Sequence, residues 1–327
     1  MESIFNDYQK ESTCVFKPIK KLQDQQIRLL DWAMGLGGEA GEVLDLLKHS
    51  IFHEDTQLDK MELAKELGDV LWYLSAIATT CGIDLADVAL LNRAKLKHRY
   101  GEAYSIAASA NRHANEMKFK DTPIYKCLTA RINNTHDAPV NVIVIGPDGS
   151  GKTTFTKLLA EKLNMKRIKC DYRQENKPET AKALLAEDIN IVYDRFYFPD
   201  DIVYSAAKDI SLDEAYQAEL KSIWNVLKMV NPIFIYVDAN MDVLKERSAD
   251  WADDYVAVSD LQEIKAQYEE FIQSTKVKNI PVIEIDTSNV SLDTTSHDRM
   301  IDFVIMEINK YKAIYGTAQI CEGEEYL

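Results

Sequence analysis

Apolar residues recur at helical spacing through roughly the first hundred positions. Ile27, Leu30 and Met34 share one face, followed by Val43, Leu44 and Leu47. A second run, Leu63 to Cys81, carries Leu63, Leu67, Val70, Leu71, Leu74 and Ile77 at the same period. No proline interrupts the chain between Pro18 and Pro123. Cys81-Gly82-Ile83 ends the second helix, and Asp84 caps another that reaches about Tyr100.

From Val140 the period changes. Short β-rich blocks (Val140–Ile145, Ile189–Tyr193, Ile233–Val237, Val282–Ile285) alternate with helical stretches at 153–163, 178–187, 213–230, 241–248 and 260–273. Such alternation predicts a parallel sheet joined by crossover helices. A last helix is expected over about Asp298 to Ile314. Between the two regimes, residues 106–139 read as a linker rich in turn residues, with a short candidate strand at Tyr125 to Leu128. The expected fold is multidomain. An all-α helical bundle over 1–105 precedes an α/β three-layer domain with a parallel sheet over 140–327.

A chain of 327 residues has room for two cores. Its net charge of −15 leaves no evident basic stripe, which argues against a DNA or RNA polymer as partner. Five cysteines (Cys14, Cys81, Cys127, Cys170 and Cys321) form no C-x-x-C motif and are expected to be reduced thiols. The stretch Met1–Lys10 is polar and mixed in charge, unlike a signal peptide. No apolar run approaches the ~20 residues that span a bilayer. These features predict a cytoplasmic protein without a membrane partner, in the host cytoplasm if the chain is viral.

The block Val140–Ile145 runs into Gly146-Pro147-Asp148-Gly149-Ser150-Gly151-Lys152-Thr153-Thr154. Gly146, Gly151, Lys152 and Thr153 fill the pattern G-x-x-x-x-G-K-[ST]. Glycines let successive backbone N–H groups turn inward around an anion, and the following helix points its positive end there. Lys152 adds a charge for the outer phosphates of ATP, and the Thr153 hydroxyl can hold Mg²⁺. Gly149, Ser150 and Thr154 complete the loop.

The helical half carries two acid pairs at spacing three: Glu39 with Glu42, and Glu66 with Asp69. Each pair projects from one helix face. Both have apolar neighbours, Val43 for the first and Val70 with Leu71 for the second. From spacing alone, they fit either a solvated face or a hard oxygen site for Mg²⁺ or Mn²⁺. Gly37, Gly38, Gly41 and Gly68 lower helix propensity and leave room for a ligand or a partner helix.

The strings GLGGEAGEVLDLLK, ELGDVLWYL, GIDLADV and NRAKLKHRY, in that order over about residues 5 to 101, resemble the MazG-like nucleotide pyrophosphohydrolases. The resemblance implies that Glu39, Glu42, Glu66 and Asp69 bind Mg²⁺ and that Asn92 and Lys95 touch phosphates. It also implies cleavage between the α- and β-phosphates of a nucleoside triphosphate, and closure of the site by a partner subunit in a homo-oligomer (dimer or tetramer). Gly38 stands where many members carry another Glu. Trp32 and Tyr73 suit either stacking on the base or core packing.

In the second half, Asp148 within the loop and the strand Ile191-Val192-Tyr193-Asp194-Arg195-Phe196 resemble thymidylate kinase and the related deoxynucleoside kinases. The resemblance covers roughly 140 to 315. It implies that Asp148 accepts from the 3′-hydroxyl of an acceptor nucleotide, Asp194 organises the metal or its waters, and Arg195 contacts the transferring phosphoryl group. It implies that the stretch Val282 to Ser288 borders the adenine. Arg173 is a candidate clamp on the acceptor phosphate. Departures are Gly149 at a position that often carries Arg, and Pro199 where Ser is usual. A further departure is an acidic lid stretch, Ser248 to Tyr255, with only Arg247 nearby.

Together these readings predict a bifunctional nucleotide enzyme. One half would cut a (deoxy)nucleoside triphosphate to monophosphate and pyrophosphate. The other would phosphorylate a deoxynucleoside monophosphate, a pyrimidine for preference, with ATP. The competing reading makes the P-loop half a nucleotide sensor that regulates the hydrolase.

Overall fold

The computed structural model describes every residue except 1, 15, 17–21, 53–56, 102–104, 136, 172–175, 249–257, 277–279, 290–293 and 316–327. The chain divides into two compact units, residues 1–96 and residues 97–317.

The first unit is all helix: α1 (Glu2–Thr13), α2 (Leu22–Phe52), α3 (Lys60–Thr80) and most of α4 (Leu85–Tyr100). Asp59 caps α3 by accepting from the backbone N–H groups of Met61 and Glu62. Helices α2 and α3 run antiparallel: Gln25 bonds the Thr80 carbonyl, while Trp32, seven residues after Gln25, meets Tyr73, seven residues before Thr80. At one point they approach very closely. A Cβ added to Gly35 would lie 2.1 Å from the Tyr73 ring. Any larger residue would require the Tyr73 ring to shift. Phe16, Trp32, Trp72 and Tyr73 form a continuous aromatic cluster, with Phe16 and Trp32 stacked at 5.1 Å.

The periodic face Ile27–Leu30–Met34 is not core. Its side chains are 61%, 62% and 69% exposed. The burial of this unit lies instead at Ser75, Ala76, Ala78, Leu85, Ala86 and Leu90.

The second unit begins with the end of α4. It adds α5 (Ile106–Ala110), α6 (Arg112–Lys120) and α7 (Pro123–Ile132) before the sheet. The strand expected at Tyr125 to Leu128 is therefore helix. Thr122 accepts from Tyr125 N–H at the N-cap and Pro123 takes the first turn, a helix start. Cys127 and Leu128 are fully buried, so this stretch of the expected linker belongs to the core of the unit.

The sheet has five parallel strands in the order β2-β3-β1-β4-β5, where β1 is Asn141–Ile145, β2 Lys166–Lys169, β3 Ile191–Asp194, β4 Pro232–Asp238 and β5 Val282–Asp286. The intervening helices are α8 (Lys152–Leu163), α9 (Lys177–Glu187), α10 (Tyr197–Ala207), α11 (Glu214–Leu227), α12 (Met241–Ser248), α13 (Leu261–Lys276) and α14 (Thr294–Tyr315). Within the sheet region two elements escape the hydrophobic pattern, β2 and α10. β2 reads Lys-Arg-Ile-Lys, an edge strand whose charges hide its period. Strand β1 is buried along its whole length, with one cluster on Ile143 and Ile145 and the other on Val142 and Val144. Alternation places one cluster on each sheet face, which makes three layers.

No single described helix is long and apolar enough to cross a membrane. The described cysteines Cys14, Cys81, Cys127 and Cys170 are free.

Ile143→Ala should cost about 2–5 kcal/mol, because the cavity would open in the middle of the sheet. Asp59→Ala should cost about 1 kcal/mol through loss of the cap. Urea melts followed by circular dichroism check both.

Candidate active sites

Antiparallel packing brings the two acid pairs of the first unit together. Glu39, Glu66 and Asp69 each offer a carboxylate oxygen, and these oxygens lie within 4.8 Å of one another. Glu42 lies outside that set and is exposed. Partial burial, then the charges of Glu42, Asp69, Glu39 and Glu62, hold the Glu66 carboxyl above its ordinary range. Like charges so close call for a cation, and an all-carboxylate donor set fits Mg²⁺ or Mn²⁺. The surroundings are open: a Cβ added at Gly37, Gly38, Gly41 or Gly68 would meet nothing within 4 Å. Asn92 and Lys95 sit three residues apart on α4, Asn92 exposed and Lys95 half-buried.

The two aromatic candidates separate. Tyr73 is spent on packing over Gly35. Trp32 packs too, donating from Nε1 to Thr80 Oγ1 at 3.2 Å. It also lines a cavity of about 550 Å³ with Phe16 and Trp72, rimmed by Asp24, Arg28 and Asp31.

In the second unit the loop between β1 and α8 is built on positive φ. Gly146 has φ +142° and its missing Cβ would lie 2.1 Å from the Val237 carbonyl oxygen, so the loop is pressed against β4. Gly151 caps α8 at φ +86°. Lys152 is buried and donates to the Pro147 carbonyl at 2.5 Å, with Asp148 at 4.0 Å. Burial pushes its amine down to about 7. Ser150 Oγ is buried without a hydrogen-bond partner. A buried lysine and an orphaned hydroxyl inside a glycine cradle fit an anion such as a phosphate. Thr153 and Thr154 are exposed on the first turn of α8.

Asp194 ends β3 fully buried and meets the loop: Thr153 Oγ1 donates to Asp194 Oδ1 at 3.4 Å. A hydroxyl beside a carboxylate at the phosphate loop suits a divalent ion. Arg195 follows at φ +67°, an uncommon conformation for its residue type. It donates to Asp148 Oδ1, to Tyr204 Oη at 3.0 Å and to Asp200 Oδ2 at 3.4 Å. Tyr204 donates to Asp148 Oδ2 at 2.8 Å, and Tyr268 donates to Asp200 Oδ1 at 2.8 Å. The two carboxylates differ. Burial raises Asp148, but Lys152, Arg195 and Tyr204 outweigh it and leave the group below the ordinary carboxylate range. At Asp200, burial wins over Arg195 and Tyr268, and the group is raised.

Arg247 does not serve a lid over the described site. It turns back and donates to the Gly149 carbonyl at 3.3 Å, to Thr287 Oγ1 at 3.1 Å and to the Thr287 carbonyl at 3.0 Å. Thr287 donates in turn to the Ser150 carbonyl at 2.9 Å, tying the end of β5 to the loop. Arg173 and the acidic lid residues Asp250, Asp253 and Asp254 lie outside the described residues.

Pattern reading missed Arg167, Asp200, Tyr204, Tyr268 and Thr287. Tyr268 has a helical signal, since Leu261, Ile264, Tyr268 and Ile272 form the buried stripe of α13. Arg167 and Asp200 have none, because each lies on an element the pattern did not disclose.

Residues 30–103, on the N-terminal side of the chain, match the model of the MazG nucleotide pyrophosphohydrolase domain. Among curated proteins, the Gene 37 protein of Mycobacterium phage L5 is 39% identical over 69 residues, 20% of this chain and 60% of that protein. The chain thus spans about three-fifths of the length of that relative. Among solved structures, YorR of Bacillus subtilis in complex with phosphorylated GDP aligns at TM-score 0.40 and 25% identity, over 51% of this chain and 95% of YorR. Deoxyadenosine kinase from M. mycoides with bound dCTP aligns at TM-score 0.38 and 19% identity, over 52% and 99%. Thymidylate kinase from Candida albicans aligns at TM-score 0.37 and 17% identity, over 53% and 92%.

A metal bound among these acids must displace protons from them. Because the Glu66 carboxyl is raised, Mn²⁺ affinity of the first unit should begin to fall at a higher pH than an ordinary glutamate would give. In metal-free protein the sign reverses. Desolvation and like-charge repulsion at Glu66 lower stability above its raised value, and the effect vanishes below the ordinary glutamate value. Mn²⁺ titrations between pH 4 and 8, with Glu66→Gln as comparison, check the first, and thermal melts with chelator check the second.

Proposed function

We propose that the chain is a bifunctional nucleotide enzyme. Its first unit hydrolyses a (deoxy)nucleoside triphosphate to monophosphate and pyrophosphate. Its second unit uses ATP to phosphorylate a deoxynucleoside monophosphate, a pyrimidine for preference. The observation that carries the hydrolase reading is the convergence of Glu39, Glu66 and Asp69 within the stretch matched to the MazG domain.

In this reading Glu39, Glu66 and Asp69, with Glu42 beside them, would hold Mg²⁺ or Mn²⁺, and the ion would supply charge neutralisation at phosphate and acidification of a water. Glu42, outside the converging set, takes the proton of the attacking water. Asn92 and Lys95 bind phosphate oxygens. The cavity beside Trp32 takes the base between aromatic walls.

In the second unit Lys152 and the loop amides bind the outer phosphates of ATP, and Thr153 with Asp194 holds Mg²⁺. Asp148 leaves Arg195 for the acceptor sugar hydroxyl, and Arg195 then serves the transferring phosphoryl group. Phosphoryl transfer asks for cations and donors held in line more than for a base. Arg173 remains the proposed acceptor clamp.

The two reactions do not cancel if their bases differ. One unit would drain an unwanted triphosphate while the other charges a preferred or modified monophosphate. That arrangement would suit a virus that replaces a pyrimidine in its DNA, acting in the host cytoplasm.

Assays of each nucleoside triphosphate with Mg²⁺, and of each deoxynucleoside monophosphate with ATP, test the reading. Glu66→Gln or Asp69→Asn should lower pyrophosphate release more than about 100-fold, as expected when several kcal/mol of charge stabilisation is lost. Lys152→Ala should abolish diphosphate formation and leave pyrophosphate release intact. If no diphosphate forms and Lys152→Ala instead changes pyrophosphate release, the second unit is a regulatory sensor.

We also propose a homo-oligomer formed through the first unit. Its α2 carries exposed Ile27, Leu30 and Met34 at helical spacing, and its α3 carries Leu67 at 51% exposure, apolar side chains a second copy could cover. Leu30→Glu with Met34→Glu should convert the oligomer to monomer in sedimentation equilibrium and reduce hydrolysis while α-helix content is retained.

A further inference from the structure

Arg167 lies on the edge strand β2, where a solvated side chain would be ordinary. It is instead built into the phosphate-loop site. Its Nη2 donates to Asp194 Oδ2, and its Nε donates to Thr156 Oγ1 at 3.2 Å. Thr156 belongs to α8, one turn after Thr153. The carboxylate it serves is fully buried and ends the strand next to the loop. The other oxygen of that carboxylate, Oδ1, accepts from Thr153 Oγ1 at 3.4 Å.

The two oxygens of Asp194 are therefore divided. One is taken by a guanidinium, and the other faces the hydroxyl that holds a divalent ion in phosphate loops. A buried carboxylate needs a counter-charge, and removing it is costly. Arg167 supplies that charge from within the fold. Its guanidinium is itself held in place by the second bond to Thr156, so the single contact to Oδ2 has a fixed direction.

We propose that Arg167 is a positioning residue that acts as the internal counter-ion of Asp194. It turns Oδ1 toward Thr153 and competes with the divalent cation for the charge of the carboxylate. The metal affinity of the loop is then set low by this arginine, and the orientation of Asp194 is set by the same contact. The inference rests on the reading of the second unit as an ATP site.

The sign of the effect separates this role from simple bracing. Loss of a brace would weaken metal binding, whereas loss of a competitor strengthens it. The test uses the full chain with Glu66→Gln and Asp69→Asn, so that the acids of the first unit neither bind the metal nor consume ATP. Mn²⁺ is titrated in the presence of ATP and free Mn²⁺ is read by electron paramagnetic resonance. Arg167→Met should bind Mn²⁺ at least about fivefold more tightly, the low end of common coupling effects. Phosphoryl transfer should fall in the same variant, because Asp194 is no longer oriented. Arg167→Lys should lie between the two in affinity, and it serves alone if Arg167→Met does not fold. Unchanged or weaker Mn²⁺ binding in a folded variant overturns the proposal. A parent chain that binds no ATP with or without Mn²⁺ overturns the ATP-site reading and this inference with it. Parent binding with no change on substitution overturns only the inference.

Discussion

Carboxylates held within a few ångströms of one another repel, and the first unit holds three of them that way. The arrangement exists because α2 and α3 run antiparallel and close, so that Glu39 on one helix meets both Glu66 and Asp69 on the other. Everything proposed for this unit follows from that enforced proximity. It raises the Glu66 carboxyl, it calls for a cation, and it explains why the neighbouring glycines open onto space rather than onto packed side chains. The packing of the aromatic cluster further along the same two helices opposes that repulsion.

The second unit solves the opposite problem. Its loop gathers backbone N–H groups and a buried lysine, a site short of negative charge, and then surrounds itself with paired carboxylates. Asp148 and Asp200 share Arg195, and Asp194 takes Arg167. The result is a set of buried ion pairs whose partners can be exchanged, since each carboxylate near the loop already has a cation from the protein. Tyr204 and Tyr268 fill remaining hydrogen-bonding positions, which keeps this polar network satisfied inside a core otherwise made of Val, Ile and aromatic side chains.

Much of this was legible in the order of residues. The 3.6-residue period before Tyr100 and the short β-rich blocks after Val140 locate both folds, because periodicity reports which face of an element is covered. The phosphate loop was readable because its chemistry depends on contiguous residues. The acid cluster was readable only as two pairs, since their convergence depends on helix pairing. What stayed hidden has a common cause. Ile27, Leu30 and Met34 carry a helical stripe, but periodicity alone does not say whether the chain itself covers it, and here it does not. The residues 125–128 look like a strand by composition, yet Thr122 and Pro123 start a helix there. Strand β2 has one apolar residue in four, so Arg167 reads as a solvated surface charge although its partner is a buried carboxylate.

Gly35 shows how far one such contact reaches. The ring of Tyr73 occupies the volume that any side chain at position 35 would need, one helical turn before Glu39. A side chain at position 35 would therefore have to push the Tyr73 ring out of its place between the helices. A methyl there would act as a wedge, and the wedge would be felt first at the carboxylates one turn away. In mutational terms this glycine should behave like a member of the metal site, although it carries no ligand atom at all.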